Sequence, residues 1–131
     1  MEKSYINFEG SDPGKYGLSA GAVAGDLVFA GAMAIDMQTL KRPAAATTIA
    51  AETRLCIEDL AATLKLGGCG LEDLVKVNCY LSEDSYRGEF WATWDEAFAD
   101  VDAKIVRLTQ VVGIAGDCRV ELDGVAVRPA G

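Results

Sequence analysis

The alternation of apolar and polar positions is sharpest near the C-terminus, where Val120, Leu122 and Ala126 alternate with Arg119, Glu121 and Asp123. A period of two marks a strand with one face buried. Just upstream, Val106, Leu108 and Gln110 fall on one side of an extended segment, and Ile105, Arg107, Thr109 and Val111 on the other. The stretch from Lys104 to Val127 therefore predicts two strands joined by a short glycine-containing turn. In that arrangement the Arg107 guanidinium and the Glu121 carboxylate face one cleft from neighbouring strands.

A helical period takes over between about Thr48 and Leu66, where Ile49, Cys56, Ile57, Leu60, Ala61 and Leu64 share a face. Thr47 or Thr48 can cap its start, and Gly67 and Gly68 can stop it. Leu74 to Leu81 returns to alternation, with Val75, Val77, Cys79 and Leu81 set against Lys76, Asn78 and Tyr80. From about Ser85 to Ala99 a second helix buries Phe90, Trp94, Ala97 and Phe98, leaving Trp91 at the edge of the stripe. Toward the N-terminus, Tyr5 to Phe8 predicts a short edge strand. The segment SDPGKYGLSAG predicts turns and no helix. Leu18 to Val23 and Asp26 to Ala30 predict a hairpin around Ala24, Gly25 and Asp26, with Gly31 ending its second strand. Met37 to Ala46 reads as a loop.

These elements add up to an α+β sandwich, a sheet covered on one face by two helices, in a single domain over residues 1–131. Apolar residues occur on both sides of several strands, and two helices cannot hide both faces. Self-association in a closed symmetric form is the expected remedy.

Charge narrows the function. The formal net charge is −8 and there is no basic run, which argues against nucleic acid as a partner. No apolar run approaches the ~20 residues of a membrane-spanning helix, and the start MEKSYINFEG lacks the apolar core of a signal peptide. The expected setting is the cytoplasm, with no membrane partner. The chain has no histidine, and Cys56, Cys69, Cys79 and Cys118 form no C-x-x-C pair. A zinc site, and nucleophilic machinery that depends on histidine, are therefore not expected.

Several runs stand in a recognisable order: GDLVFAGAMAID, a helix followed by GLEDLVKVNCYL, a second helix with WDEAF, and the ending VELDGVAV. From about Leu18 to Val127 the chain resembles the reactive intermediate deaminase family (RidA, also called YjgF). The resemblance implies a chorismate-mutase-like fold, with a mixed sheet covered on one face by two helices. It implies a homotrimer whose sheets line a central barrel, with a cleft at each subunit interface. It further implies hydrolysis of an imino or enamino acid to the keto acid and ammonia, without metal or cofactor.

The family's carboxylate-binding arginine corresponds to Arg107, one residue closer to the final glutamate than is usual; Lys104, which follows Ala103, is the alternative. The water-positioning glutamate corresponds to Glu121, and the glycine beside the substrate to Gly31. The aromatic residue at the cleft falls at Leu18, or at Tyr16 after a small shift. Trp91 stands where the family has asparagine, Ala30 where it has serine, and Thr109 belongs to the expected pocket. A non-catalytic, small-acid-binding trimer and a ribonuclease are the competing readings.

The chemistry suits those residues. An iminium carbon is already electrophilic, so its hydrolysis needs a held substrate, a placed water and a proton path. An arginine fork grips a carboxylate through two parallel hydrogen bonds. A glutamate beside a water can orient it and take its proton. From spacing alone, an ordinary cross-strand ion pair between Arg107 and Glu121 would be the plainer reading.

Overall fold

The computed structural model describes residues 1–130. Six strands form one sheet in the order β1-β2-β3-β6-β4-β5. They are β1 (Lys3–Ile6), β2 (Gly21–Ala24), β3 (Leu27–Met33), β4 (Leu74–Leu81), β5 (Val106–Val111) and β6 (Val120–Val127). The helices are α1 (Pro13–Tyr16), α2 (Ile49–Leu66) and α3 (Arg87–Ala97). The sheet is mixed: β4 and β5 run parallel, and the other pairs are antiparallel.

The main departure from expectation concerns β5 and β6. They do not form a hairpin, because β4 lies between them and pairs with both. The cause is α3. A helix between two strands returns the chain as a crossover, which lays the second strand parallel beside the first. With β5 on one edge of β4, residues 112–119 pass over the end of β4 and bring β6 to its other edge. Val112 N–H donates to the Leu81 carbonyl (2.9 Å) and Ser82 N–H to the Arg119 carbonyl (3.0 Å) along that passage.

Smaller differences have local causes. The first strand begins at Lys3 rather than Tyr5, and β3 runs on to Met33, so Gly31 lies inside the strand. The turn-rich segment holds one turn of helix after all. Asp12 caps it by accepting from Lys15 N–H at 3.0 Å, Pro13 opens it, and Gly17 closes it in the left-handed region. In β4 a register shift between Leu74 and Lys76 turns Leu74 inward and leaves Val75 exposed. The long helix is capped by Thr48, whose hydroxyl accepts from Ala51 N–H at 3.0 Å.

Both long helices pack on one face. The core there joins Leu60 and Leu64 of α2 and Phe90 and Trp94 of α3 to Val28, Val77, Leu81 and Leu122 of the sheet. Fully burying side chains of this size contributes about 1.5–3 kcal/mol each. The sheet approaches α2 closely at Gly21, where a Cβ would lie 2.5 Å from the Phe29 carbonyl oxygen and 2.8 Å from Thr63 Cγ2. The start of β6 is clamped to the same helix. Glu52, fully buried, accepts from Arg119 N–H (2.6 Å), Val120 N–H (3.1 Å) and Arg119 Nε (2.7 Å). Arg119 Nη2 donates in turn to the Ala46 carbonyl at 2.8 Å.

Among the described residues, no helix covers the other face. It exposes Leu27, Phe29, Val75, Val106, Leu108 and Val127. Among the described residues, no helix is long and apolar enough to cross a membrane.

Candidate functional site

The strand registers lay out the uncovered face row by row. One row runs Val106, Lys76, Val125, Phe29, Ala22, Tyr5 across the whole sheet. The next runs Leu108, Asn78, Asp123, Gly31, and the third Gln110, Tyr80, Glu121, Met33. Polar groups thus occupy the middle of an otherwise apolar face, with Glu121 and Asp123 one row apart on β6.

Glu121 borders a cavity of about 460 Å³ together with Gly31, Tyr80, Val112 and Asp123. Burial, and then the neighbouring Asp123 charge, push the Glu121 carboxyl above its ordinary pKa. Neither carboxylate has an ion-pair partner within 4.0 Å among the described residues. A half-buried, uncompensated carboxylate facing a cavity is suited to accept and return a proton. Gly31 adds no side chain to this cavity. A Cβ built there meets nothing within 4 Å, so the fold of the chain alone does not require glycine at this position.

Arg107 is elsewhere. Paired with Val77, it belongs to the helix-covered face, where its guanidinium lies 5.5 Å from the Trp94 ring centroid and 4.0 Å from Asp95 Oδ1. Its charge acts on the buried Cys79 thiol of the same face, whose pKa burial nevertheless raises to about 12. The expectation that Arg107 and Glu121 of one chain share a cleft is therefore corrected: they sit on opposite faces. Strand phase decides it, because the intervening strand pairs Arg107 with the row of Val77 and Gly124, and Glu121 with the row of Tyr80.

Thr109 and Trp91 accompany Arg107 on the helix side. Trp91 Nε1 donates to Thr109 Oγ1 at 3.1 Å. Arg87 donates to the Thr109 carbonyl at 2.9 Å and stands 5.9 Å from the Trp91 ring centroid. Lys104 is exposed just before β5, while Ile105 packs against the core. Tyr16 ends α1, half-buried, with Lys15 Nζ 5.2 Å from its ring centroid. Leu18 is exposed nearby, and neither of these two lines the Glu121 cavity. The expected site residues therefore fall into three groups: Gly31 with Glu121, Arg107 with Trp91 and Thr109, and Tyr16 with Leu18.

Sequence reasoning passed over Asp123, Tyr80 and Val112 as cavity residues. Asp123 shares the phase of Glu121 and Tyr80 has the polar phase of β4, so alternation was the signal for both. Val112 follows β5 and carries no such signal. Among the described residues, no group of three or more histidine, cysteine or acidic side chains could hold a metal ion. The thiols of Cys56 and Cys79 are buried, and burial raises the pKa of both.

Known proteins agree with this architecture. The chain is 29% identical to a RutC family protein of Synechocystis over 82% of each chain. Its fold matches yeast Mmf1 at a TM-score of 0.84 and 18% identity, covering 98% of this chain and 100% of that one. It matches the YjgF gene product of E. coli at 0.81 and 21% identity, covering 96% and 99%. A further match is E. coli TdcF, crystallised with bound serine, at 0.75 and 21% identity over 95% and 94%. These likenesses establish a YjgF-type, chorismate-mutase-like fold. Residues 13–128 match the family described as Endoribonuclease L-PSP. With that span matched and the fold shared, the chain belongs to the Endoribonuclease L-PSP family, the YjgF/RidA family.

Proposed function

We propose that this protein hydrolyses the C=N bond of small 2-imino acids, reached directly or by tautomerisation of the enamine, to the 2-keto acid and ammonia. One observation carries the reading: Glu121 faces a cavity beside Gly31 as a half-buried carboxylate without a counter-ion, its pKa raised. Glu121 accepts a proton from water as the water oxygen bonds to the imine carbon. The substrate enters as the iminium ion, so the C=N electron pair moves to nitrogen and leaves a neutral amine. Glu121 then returns its proton to that nitrogen, and the C–N bond breaks as the hydroxyl proton passes back to Glu121 and the carbonyl forms. The departing ammonia takes that proton to leave as ammonium. Proton transfer of this kind is worth ~100- to 10,000-fold. The serine bound to TdcF supports a ligand of amino-acid size.

The working form is a homotrimer in this reading. One protomer cannot present Arg107 and Glu121 to the same molecule. A neighbour docked on the uncovered face can bring its β5 edge to the Glu121 cavity and bury the exposed Val106 and Leu108. The neighbour's Arg107, or its Lys104, then binds the substrate carboxylate. Trp91, Thr109, Tyr16 and Leu18 shape the rim. Alternation favours Lys104, because Ile105 and Arg107 both turn toward the helices.

Binding without turnover is the competing reading, favoured by Ala30 and Trp91 standing where the family has serine and asparagine. Ribonuclease action is disfavoured by the net charge of −8 and the acidic face. The test is ammonia release from imino acids generated in place by an amino-acid oxidase, with light scattering to set the oligomeric state. A trimer that accelerates release, and loses the acceleration in Glu121→Gln, supports the reading. A monomer, or no acceleration over buffer, overturns it.

A further inference from the structure

The uncovered face holds a second cavity beside the first, of about 250 Å³, with Tyr5, Phe29, Ser19 and Asp123 among its walls. Gly31 and Asp123 border both cavities, so a ligand in one passes between them to reach the other. The registers explain the opening. Ala22 separates Tyr5 from Phe29 in their row, which leaves only a methyl group between two aromatic rings. Gly31, paired with Asp123 in the next row, adds no side chain to close the neck. The space equals about eight water volumes of ~30 Å³, room for the side chain of a lysine or an arginine.

The walls have a definite chemical preference. Two aromatic rings and a carboxylate without an ion-pair partner complement a cation on a flexible stem. Outside the cavity, Lys3 Nζ lies 5.9 Å from the Tyr5 ring centroid. Lys76 is another cation on this face, in the row of Val125 and Phe29, and it makes no ion pair with Asp123 within 4.0 Å among the described residues. A second carboxylate on a ligand would instead meet Asp123, with Glu121 one row beyond.

We propose that this second cavity receives the substrate's side chain and selects 2-imino acids whose side chain ends in an amino or guanidino group, with Asp123 as the specificity-determining residue. The proposal rests on the imine-hydrolase reading, and names the substrate class of that site. The imine group stays beside Glu121, the stem crosses Gly31, and the cationic end lies between Tyr5 and Phe29 near Asp123. Dicarboxylic imines are selected against by the same groups.

The experiment compares kcat/KM for imines formed in place from arginine, leucine and glutamate, using wild type, Asp123→Asn and Tyr5→Ala. A cation–aromatic contact together with a charge-assisted hydrogen bond predicts roughly a ten-fold preference for the arginine imine over the leucine imine. The glutamate imine is expected last. Asp123→Asn and Tyr5→Ala should each lower the arginine-to-leucine ratio toward one. Tyr5 is exposed on an edge strand, so its variant keeps the fold.

Turnover of all three imines without preference, or a ratio unchanged in both variants, overturns this proposal and leaves the hydrolase reading standing. If no imine is turned over, the hydrolase reading fails, and titration calorimetry with arginine and glutamate themselves decides the cavity. Arginine binding that is lost in Asp123→Asn supports the cavity assignment. Equal binding of the two amino acids, or of neither, overturns it.

Discussion

Two glutamates meet the same strand from opposite sides and end in opposite conditions. Glu52 reaches the start of β6 from α2, fully buried, and accepts three hydrogen bonds from Arg119 and Val120. Glu121, the next residue along, faces the uncovered side, half-buried beside a cavity and without a counter-ion among the described residues. Burial with full pairing commits a carboxylate to the fold. Partial burial without pairing leaves its proton free to move, which is a condition for catalysis and a poor one for stability.

The largest expected effect tests the first half of that contrast. Glu52→Ala leaves the Arg119 guanidinium and two strand N–H groups without their acceptor. Breaking a buried pair from one side costs about 3–5 kcal/mol, a large part of the stability of a domain this size. Chemical denaturation should show that loss as a lower midpoint. A midpoint within error of wild type would mean that the clamp is incidental.

Glu121→Gln is the matching experiment on the other side. Its expected stability change is within about 0.5 kcal/mol, since no ion pair is broken, while imine hydrolysis falls ~100- to 10,000-fold. The pH profile sharpens the point. Glu121 must be ionised to take the proton, and burial and then Asp123 hold its pKa above the usual carboxylate range. Activity should therefore fall as pH drops through that raised value. The other titratable groups near it are Tyr80 of β4 and Cys118, whose thiol is held above its ordinary pKa by burial and then by Glu52 and Glu121, while β3 contributes Met33. Asp123→Asn should move the acid limb to lower pH. An unmoved limb would assign it to another group.

The same contrast explains what could be read in the sequence. Period-two alternation placed Glu121 and Asp123 on one face of β6, and helical spacing placed Leu60, Leu64, Phe90 and Trp94 in the core, because local pattern reflects which side is buried. Strand order is not local. The β5–β6 hairpin reading failed because α3 sets β5 parallel to β4, and only the whole topology shows that β4 has a free edge for β6. From that single error came the expectation of one cleft shared by Arg107 and Glu121. The Asp12 cap was equally visible in SDPGKYG, but the glycines and proline around it pointed to turns.

Removing the carboxylate anchor should have a smaller effect than removing the base. Lys104→Ala is expected to raise KM for a 2-imino acid by roughly ten- to a hundred-fold, the loss of a charge-assisted contact worth about 1.5–3 kcal/mol, with kcat less affected. Arg107→Ala should act mainly on stability, through its packing over Trp94. The reverse result, with Arg107→Ala raising KM and Lys104→Ala silent, would mean that the guanidinium leaves Trp94 in the assembly that we propose. It would restore Arg107 as the anchor.

No damage to the fold is expected at Gly31, and there the contrast is most exposed to failure. Glycine in a strand interior costs stability through chain entropy and persists where the backbone conformation or a close neighbour demands it. Neither demand is met within this chain: Gly31 is not in the left-handed region, and an added Cβ meets nothing within 4 Å. Gly21, ten residues earlier on the helix-covered face, is the counterexample, with a Cβ position already claimed by Phe29 and Thr63. Gly31→Ala should therefore leave the denaturation midpoint unchanged or raise stability by about 0.4–1 kcal/mol. Its methyl group would nevertheless intrude on both cavities and weaken substrate binding, most for imines with long side chains that must cross it. A variant that keeps wild-type kinetics on every substrate would show that nothing passes over Gly31, and would separate the two cavities. A variant that loses stability instead would point to a neighbouring subunit packed against this glycine, moving the ligand's path away from it.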